Sequence, residues 1–372
     1  MMYKQYLKNE QMNFQVNRFL EPYYSDIEVQ KEVVSICNRI NSLESWFNEW
    51  NNIANSKYEN RDFGLASAYY QLAEFFLKDS DQRETRTYSL FKESFYRSIP
   101  NASIEFSKVP YEESFLPVAT ITHKAANKWL IFHGGFDSYL EELIRLTMTY
   151  LTGLDKYNVL MFEGPGQGIP NKNGLAMTHE WEKPISAILD FFRLSNVSLL
   201  GMSLGGYLAL RAAAKEKRIE KVIAFDTFYS MEDAFLMNAP KETKELVDFT
   251  DARMCETIDN LIEKYSKGNV DLTFKINKAK EIFGKSKPSE VLKEMKKYTL
   301  CGIEKEINQN VLLLAGENDM YVPTERTPFL VEKLVNSSKI ESIIFSNETG
   351  GQYHCQVGNK GIAFNEILKF LN

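Results

Sequence analysis

The sequence predicts an α/β fold, namely a doubly wound, mostly parallel sheet with a helical cap insertion and an N-terminal helical region. Two observations carry this prediction. From about residue 101 onward, short β-rich runs alternate with helical segments, as they do in βαβ units. In the residues before that point, by contrast, apolar side chains recur at helical spacing. We therefore expect a helical N-terminal domain over residues 1–100 and an α/β domain over residues 101–372.

Composition excludes several classes of protein before any motif is considered. The chain of 372 residues has 44% apolar and 25% charged residues, the values of an ordinary globular protein. The net charge of −6 argues against a nucleic-acid partner, and no apolar run approaches the roughly 20 residues that span a bilayer. Because the N-terminus is polar and has no apolar signal core, we expect a cytoplasmic protein without a membrane partner.

The four cysteines indicate neither a disulfide framework nor a zinc site. They are scattered and form no CxxC pair: Cys37, Cys255, Cys301 and Cys355. A cytoplasmic location favours free thiols. A glycine-rich segment at 163–168 follows a predicted strand, but it lacks the lysine and Ser/Thr of a P-loop. We therefore expect no metal and no nucleotide or other cofactor, and we interpret this segment as a special loop at the edge of a pocket.

Helical periodicity dominates the N-terminal region. The apolar positions of residues 29–50 fall at alternating steps of three and four, which predicts that they share one helical face. Two further periodic stretches follow at 65–76 and 88–95, with a charged run at 79–86 between them. We expect these segments to form a helical bundle.

The α/β region is read in chain order from its apolar runs and turn residues. Strands are predicted at 103–110, 115–122, 129–133, 158–162, 197–201, 221–225, 311–315 and 342–345. Helices are predicted after Leu140 and at 181–193, 205–215 and 361–371. The right-handed crossovers of parallel strands would place helices on both faces of the sheet.

One connection is much longer than the others. Val311 stands 85 residues after Asp226, whereas a connecting helix with its loops needs only about 15–25 residues. The excess sequence is helical and charged, with helices predicted at 231–237, 241–249, 254–265 and 289–298. We interpret the segment of about 228–305 as a cap inserted over the ends of the strands.

The strongest chemical motif is Gly-Met-Ser-Leu-Gly-Gly at 201–206. It lies between the predicted strand 197–201 and the predicted helix 205–215, which is the strand–turn–helix setting of a nucleophile elbow. The glycines two residues before and after Ser203 let neighbouring backbone pass without a Cβ clash. An incidental serine in an ordinary turn is the alternative, and the setting favours Ser203 as a nucleophile.

A serine nucleophile needs a base and an acid, and in this motif class they follow the serine as acid and then base. Of the four histidines only His354 comes after Ser203, so it is assigned as the base. Asp319 follows the predicted strand 311–315 and is assigned as the acid that orients the imidazole. Glu317 is the alternative acid, but it stands very close to the end of the strand.

Two sources of oxyanion donors are expected. One is the backbone N–H of Leu204, directly after the nucleophile. The other is the loop after the strand 129–133, where the N–H of either Gly135 or Phe136 would donate. The sequence does not choose between these two residues. His133, at the start of this loop, is expected to be a structural histidine that bonds its own loop.

With these residues assigned, the chain resembles the α/β-hydrolase superfamily over roughly residues 100–372. The similarity is to a branch that includes dihydropseudooxynicotine hydrolase, fungal pigment-pathway C–C hydrolases, fermentation–respiration switch-type esterases, and bacterial proteins labelled acylaminoacyl peptidase or dipeptidyl aminopeptidase. The resemblance rests on the loop 133–138, the segment 163–168, the elbow 201–206 and the ending 353–356. It implies a triad of Ser203, Asp319 and His354. Prolyl-oligopeptidase-type peptidases carry an N-terminal β-propeller, whereas the N-terminal region here is helical, which argues against cleavage of oligopeptides.

These observations predict a serine hydrolase that cleaves an ester or amide/peptide bond of a small substrate, in the manner of acylaminoacyl peptidases. One alternative is a C–C bond hydrolase of a ketone or diketone, for which Glu232 and Asp233 are the candidate proton donors. The other is a non-catalytic binding protein on a hydrolase scaffold. The expected partner is a small-molecule or short-peptide substrate, and the sequence leaves open a homodimer formed by the N-terminal helices.

Overall fold

The computed structural model describes residues 3–237 and 252–372, and the predicted helix at 241–249 lies outside them. The chain divides into two compact units. One comprises Met1–Ala102 with Val357–Asn359, and the other comprises Ser103–Gln356 with Lys360–Asn372. Among the described helices, none has the length and apolar character that crossing a bilayer requires.

The first unit is helical. Its helices are α1 Glu10–Leu20, α2 Ile27–Cys37, α3 Leu43–Glu59, α4 Phe63–Glu74 and α5 Gln82–Ser98. Trp46, Trp50 and Tyr69 are fully buried at its centre, and their rings contact one another along the chain Trp46–Trp50–Tyr69. The prediction of one helical face over 29–50 is wrong, because α2 ends at Cys37 and α3 begins at Leu43.

The break between α2 and α3 has a local cause. Ser42 accepts a hydrogen bond from the backbone N–H of Ser45, while the Ser45 hydroxyl oxygen accepts from the backbone N–H of Ser42. This reciprocal cap satisfies donors that a new helix would leave free. Because the residues between the helices preserve the spacing of apolar positions, periodicity alone does not reveal the break. Helix α1 was also absent from the sequence prediction.

The second unit is built on an eight-stranded sheet, and each predicted strand is present. The strands are β1 Glu105–Tyr111, β2 Ser114–Ile121, β3 Lys128–His133, β4 Tyr157–Phe162, β5 Val197–Met202, β6 Ile219–Phe225, β7 Asn310–Gly316 and β8 Lys339–Phe345. Their order in the sheet is β1-β2-β4-β3-β5-β6-β7-β8. The pairs β1–β2 and β2–β4 are antiparallel and the others are parallel, so the predicted α/β fold with a mostly parallel sheet is confirmed.

Helices connect these strands in chain order. They are α6 Leu140–Tyr150, α7 Gly168–Lys172, α8 Glu182–Phe192, α9 Gly205–Lys215, α10 Met231–Leu236, α11 Ala252–Ser266, α12 Val270–Phe283, α13 Pro288–Met295, α14 Arg326–Lys333 and α15 Lys360–Leu371. Helices α7, α12 and α14 were not predicted. Strands β4 and β5 are buried at every position, which explains their mostly apolar sequences, with Asn158 and Ser198 as the polar exceptions.

The segment between β6 and β7 carries α10 to α13. Residues near its two ends pair with each other in antiparallel fashion where the segment leaves the sheet. The Met231 N–H donates to the Tyr298 carbonyl at 2.9 Å, and the Leu300 N–H donates to the Tyr229 carbonyl at 3.0 Å. The two ends of the insertion are thereby joined at its base. We call the four helices α10, α11, α12 and α13 the cap.

Parallel strands place their carboxyl ends at one edge of the sheet, and ligands of such sheets bind beyond that edge. Ser203 follows β5, Asp319 follows β7, and His354 lies in the loop after β8. One further polar residue, Asp226, directly follows β6. The fold therefore collects these four side chains at the same edge.

Candidate active site

Ser203 lies in a sharp turn between β5 and α9. Its φ of +63° is in the left-handed region, which a non-glycine residue rarely occupies. The Ser203 N–H donates to the Phe225 carbonyl, and the Gly206 N–H donates to the Ser203 carbonyl at 2.8 Å. Backbone strain of this kind is found at functional sites that the surrounding structure holds in place. The turn has the geometry of a nucleophile elbow.

Glycines around Ser203 are required by close backbone contacts. A Cβ added at Gly201 would lie 1.9 Å from the Gly205 carbonyl oxygen. A Cβ added at Gly206 would lie 1.9 Å from the Asp226 carbonyl oxygen. Neither contact is compatible with a side chain, because real Cβ atoms essentially never approach so closely. The glycines of the motif thus let α9 start directly behind the serine.

The three residues assigned as the triad lie together. His354 Nε2 is 2.8 Å from Ser203 Oγ, and His354 Nδ1 is 2.7 Å from Asp319 Oδ2. The second carboxylate oxygen, Asp319 Oδ1, accepts from the N–H groups of Tyr321 at 2.7 Å and Val322 at 3.0 Å. A neutral His354 can therefore accept the Ser203 hydroxyl proton at Nε2 while its Nδ1–H donates to the carboxylate.

Glu317, the alternative acid, does not reach the histidine. Its side chain is exposed, and its Oε1 accepts a hydrogen bond from the Asn347 N–H. The aromatic rings of Tyr321 and Phe228 instead lie edge-on to the imidazole of His354, with ring centroids 4.8 and 5.9 Å away. These rings restrict the orientation of the imidazole.

A second carboxylate that the sequence analysis did not assign contacts the histidine. Asp226 Oδ2 lies 2.9 Å from His354 Nδ1, and the residue is fully buried. The signal was available in the sequence, because Asp226 directly follows an apolar strand, as Asp319 does after a short loop. It was missed because a triad with one acid left no role for it.

Burial and mutual interaction shift the pKa values of His354, Asp319 and Asp226. Burial opposes the imidazolium form of His354, but Asp319 and Asp226 outweigh it and hold the pKa of His354 well above its usual range. Burial, with repulsion from Asp226, raises the pKa of Asp319 to about 6. Burial also opposes ionisation of Asp226, yet its hydrogen bonds to His354 and other donors keep its pKa below the usual value. The two carboxylates thus favour the protonated form of His354.

Cys355 adjoins the base, and its Sγ lies within 4.8 Å of ligand atoms of Asp226 and His354. Among the described residues this is the one group of three histidine, cysteine or acidic side chains close enough to suggest a metal. Burial raises the pKa of the Cys355 thiol to about 12, which disfavours the thiolate that a metal would bind. His354 Nδ1 already contacts two carboxylates, Asp319 and Asp226, so these residues do not fit a metal ion.

The residues expected to form the oxyanion hole lie against the elbow. A Cβ added at Gly135 would lie 2.7 Å from the Leu204 nitrogen, so the two backbone segments are in contact. The amide of Gln167 holds this loop, since its Nε2 donates to the carbonyls of Gly134 at 3.0 Å and Gly135 at 2.7 Å. In a trans peptide the N–H points away from the carbonyl, so the N–H groups of Gly135 and Phe136 both point away from Gln167.

Gln167 itself was not assigned by the sequence analysis. It belongs to the glycine-rich segment 163–168, and its Oε1 accepts from the Gly164 N–H at 2.8 Å. His133 has the structural role that was expected, because its Nδ1–H donates to the Gly134 carbonyl at 2.9 Å. Burial lowers the pKa of His133 to about 4, so this ring is neutral.

The cap contributes charged groups near the site. Arg326 of α14 donates to both carboxylate oxygens of Asp233 in α10, at 2.7 and 2.6 Å. Lys275 of α12 lies with its Nζ 4.9 Å from the centre of the Tyr321 ring and 2.7 Å from Asp271 Oδ2. Asp233, one of the two candidate proton donors for C–C cleavage, is thus engaged in an ion pair.

Curated proteins similar to this chain carry hydrolase names, although no protein-family model matches it. Hydrolase ORFZ of Pyricularia oryzae is 28% identical over 295 residues, covering 72% of this chain and 68% of the relative. Hydrolyase ccsE of Aspergillus clavatus is 31% identical over 291 residues, covering 70% and 66%. Alpha/beta hydrolase ucsC of Acremonium sp. is 28% identical over 244 residues, covering 56% and 48%. The chain thus spans between 48% and 68% of the length of these relatives.

A solved structure shares the architecture over nearly the whole chain. The 2,6-dihydroxy-pseudo-oxynicotine hydrolase has a TM-score of 0.67 and 20% sequence identity, covering 95% of this chain and 94% of that one. At this identity the similarity concerns the fold. Taken with the strand order, it shows that this chain has the fold of the α/β-hydrolase superfamily, and the curated relatives to which the chain is similar carry hydrolase names.

Proposed function

We propose that the chain is a serine hydrolase that cleaves an ester or an amide/peptide bond of a small substrate through an acyl-enzyme on Ser203. The observation that carries this proposal is the unbroken series of hydrogen bonds from Ser203 Oγ through His354 to Asp319, at 2.8 and 2.7 Å. Side chains at these distances can transfer a proton while a nucleophile attacks. A non-catalytic binding protein would have no need of this arrangement in a strained turn.

The proposed reaction has two half-reactions. Ser203 Oγ attacks the carbonyl carbon of the substrate, and its proton passes to His354 Nε2. The imidazolium then gives this proton to the leaving alcohol or amine as the bond to the carbonyl carbon breaks. In the second half, water loses a proton to Nε2 and attacks the acyl-enzyme, which releases a carboxylic acid and returns the proton to Ser203.

The negative oxygen of each tetrahedral intermediate needs hydrogen-bond donors. We assign the Leu204 N–H, at the start of α9, as one donor and an N–H of the loop at Gly135 or Phe136 as the other. The helix N-terminus adds a favourable dipole at this point. A donor of this kind is worth about 2.7–4 kcal/mol in the transition state.

Cleavage of a C–C bond remains the alternative for the same triad, because it begins with the same attack on a carbonyl. It also requires an acid that protonates the departing carbanion. Asp233 is a poor candidate, because both of its carboxylate oxygens accept hydrogen bonds from the Arg326 guanidinium, at 2.7 and 2.6 Å. This ion pair argues against Asp233 as the acid of a C–C hydrolase, whereas Glu232 stays a candidate.

The test is labelling with a fluorophosphonate probe, which reacts only with an activated serine. We expect the wild-type protein to be labelled and Ser203→Ala and His354→Ala to lose labelling by at least about 10³-fold. His123→Ala is the matched control, because His123 is exposed and lies outside the site. An unlabelled wild-type protein, or equal labelling of Ser203→Ala, contradicts the proposal.

Substrate class is then assigned with a panel of three compounds. A p-nitrophenyl acyl ester, an N-acetyl-amino-acid anilide and a 1,3-diketone represent the ester, blocked-peptide and C–C reactions. We expect turnover of the ester or the anilide that depends on Ser203. Turnover of the diketone alone would replace the proposed bond type with C–C cleavage while keeping the triad.

A further inference from the structure

The Nδ1 atom of His354 has two carboxylate partners. Asp319 Oδ2 lies 2.7 Å away and Asp226 Oδ2 lies 2.9 Å away, so both are within hydrogen-bond distance. A serine triad needs only one of them. The two acids follow different strands, because Asp226 follows β6 and Asp319 lies in the loop after β7.

Asp226 is held in place by donors from the histidine loop. Its Oδ2 accepts from the Cys355 N–H at 2.6 Å, and its Oδ1 accepts from Gln356 Nε2 at 3.0 Å. Cys355 and Gln356 directly follow His354 and have left-handed φ values of 49° and 47°. The carboxylate therefore fixes the backbone that carries the base as well as contacting the base itself.

Asp319 has backbone donors that Asp226 does not share. Its Oδ1 accepts from two backbone N–H groups of its own loop, those of Tyr321 and Val322. Loss of one carboxylate would therefore leave the other with its supporting donors intact. Since only one proton lies on Nδ1, both acids compete for it in the resting protein.

We infer that Asp226 is a second carboxylate partner of His354, which shares the Nδ1 proton with Asp319 and keeps the imidazole oriented when Asp319 cannot accept that proton. Asp226 is thus a positioning residue that acts through the histidine. The inference rests on the proposed serine-hydrolase function for its catalytic consequence, whereas the sharing of the proton concerns the resting protein alone.

Two consequences arise for the base. A second negative charge beside the imidazole stabilises its protonated form, so His354 becomes a free base only at higher pH than a histidine with one acid. The rate of labelling by the fluorophosphonate probe should then fall at low pH with a midpoint above the ordinary histidine pKa of about 6.5. Loss of Asp319 should also be less damaging than loss of the acid in a triad with one carboxylate.

Asp226→Asn is a conservative way to remove the charge. Gln356 Oε1 is buried and makes no hydrogen bond among the described residues, so the Gln356 amide can rotate and accept from the new Asn amide. The asparagine oxygen can then still accept from the Cys355 N–H. The control is Asp155→Asn, which makes the same chemical change at an exposed position outside the site.

Three variants are compared with the wild type: Asp226→Asn, Asp319→Ala and the double variant. The rate of labelling by the fluorophosphonate probe is measured from pH 5 to pH 10. The titration of His354 is followed separately by the low-field proton resonance of its Nδ1–H, identified by its loss in His354→Ala. Folding is checked by circular dichroism, and Gln356→Leu, which removes one donor to Asp226, replaces Asp226→Asn if that variant is unfolded.

We expect Asp226→Asn to shift both titrations to lower pH by about one unit or more, with Gln356→Leu giving a smaller shift in the same direction. Asp319→Ala should lose about tenfold to a hundredfold in labelling rate, whereas the double variant should lose about 10⁴-fold. Unchanged titrations in Asp226→Asn, or an Asp319→Ala rate equal to that of the double variant, overturn the inference. An unlabelled wild-type protein overturns only the proposed function, because the resonance still reports the sharing of the proton.

Discussion

The carboxyl edge of the sheet and the cap contribute to the same site by different kinds of contact. At the edge, backbone segments contact one another directly. A Cβ added at Gly201 or Gly206 would lie 1.9 Å from a backbone carbonyl oxygen. At the cap, side chains contact one another on partly exposed surfaces, as Asp233 of α10 does in its ion pair with Arg326 of α14. The turn that carries Ser203 is positioned by the first kind of contact, and Asp233 of the cap is positioned by the second.

The two kinds of contact differ in the amino-acid substitutions that they accept. Backbone contacts at the edge permit only glycine at certain positions, so they preserve the geometry of Ser203 whatever the substrate. Side-chain pairs in the cap can be exchanged for others at small cost in stability. The chemistry should therefore be sensitive to changes at the edge, while changes in the cap should alter substrate preference.

The largest effect is expected for Gly206→Ala. The added methyl group would overlap the Asp226 carbonyl and displace either α9 or β6. We expect a loss of about 3 kcal/mol or more in the free energy of unfolding, together with loss of fluorophosphonate labelling. Gly153→Ala is the matched control, since nothing lies within 4 Å of its added Cβ. Equal stability of the two variants, measured by urea unfolding, would show that the edge is not packed as described.

A smaller effect is expected for Gln167→Glu. This isosteric change keeps an oxygen that accepts from the Gly164 N–H, but it removes the donor to the carbonyls of Gly134 and Gly135. The loop that carries the second oxyanion donor should then lose its support, and the labelling rate should fall by about tenfold to a hundredfold. Gln82→Glu, at an exposed position, is the control. A labelling rate like that of the control would exclude Gln167 as a positioning residue for this loop.

The sequence was most informative where backbone geometry restricts residue type. Strand–turn–helix spacing and three glycines located the elbow, and chain order then left His354 as the one histidine after Ser203. Such constraints are local, so a single sequence contains them. The mostly apolar runs of β4 and β5 were recognisable for a related reason, because burial on both faces favours apolar residues.

The sequence was less informative where partners are distant along the chain. Asp226 contacts a histidine 128 residues later, and nothing near Asp226 indicates that contact. Gln167 contacts a loop more than 30 residues earlier in the same way. Helix α12 was not predicted, because its polar and apolar residues do not form separate faces. In the N-terminal region the periodicity continued across the break between α2 and α3, where serine side chains rather than apolar spacing decide the boundary.

The smallest effect is expected where α10 of the cap contacts α14, since Arg326→Met and Asp233→Asn remove the two partners of one ion pair. Because this pair is only partly buried, we expect a coupling energy of about 1 kcal/mol in a double-mutant cycle of unfolding. The fluorophosphonate labelling rate should change less than about threefold, since the triad is untouched, while KM for the best ester should rise. The exposed pair Glu28 and Lys31 provides a control cycle with a coupling energy close to zero. If Asp233→Asn instead abolished turnover of a diketone and left ester hydrolysis intact, Asp233 would be the acid of a C–C hydrolase, and the cap would contribute to the chemistry as well as to substrate preference.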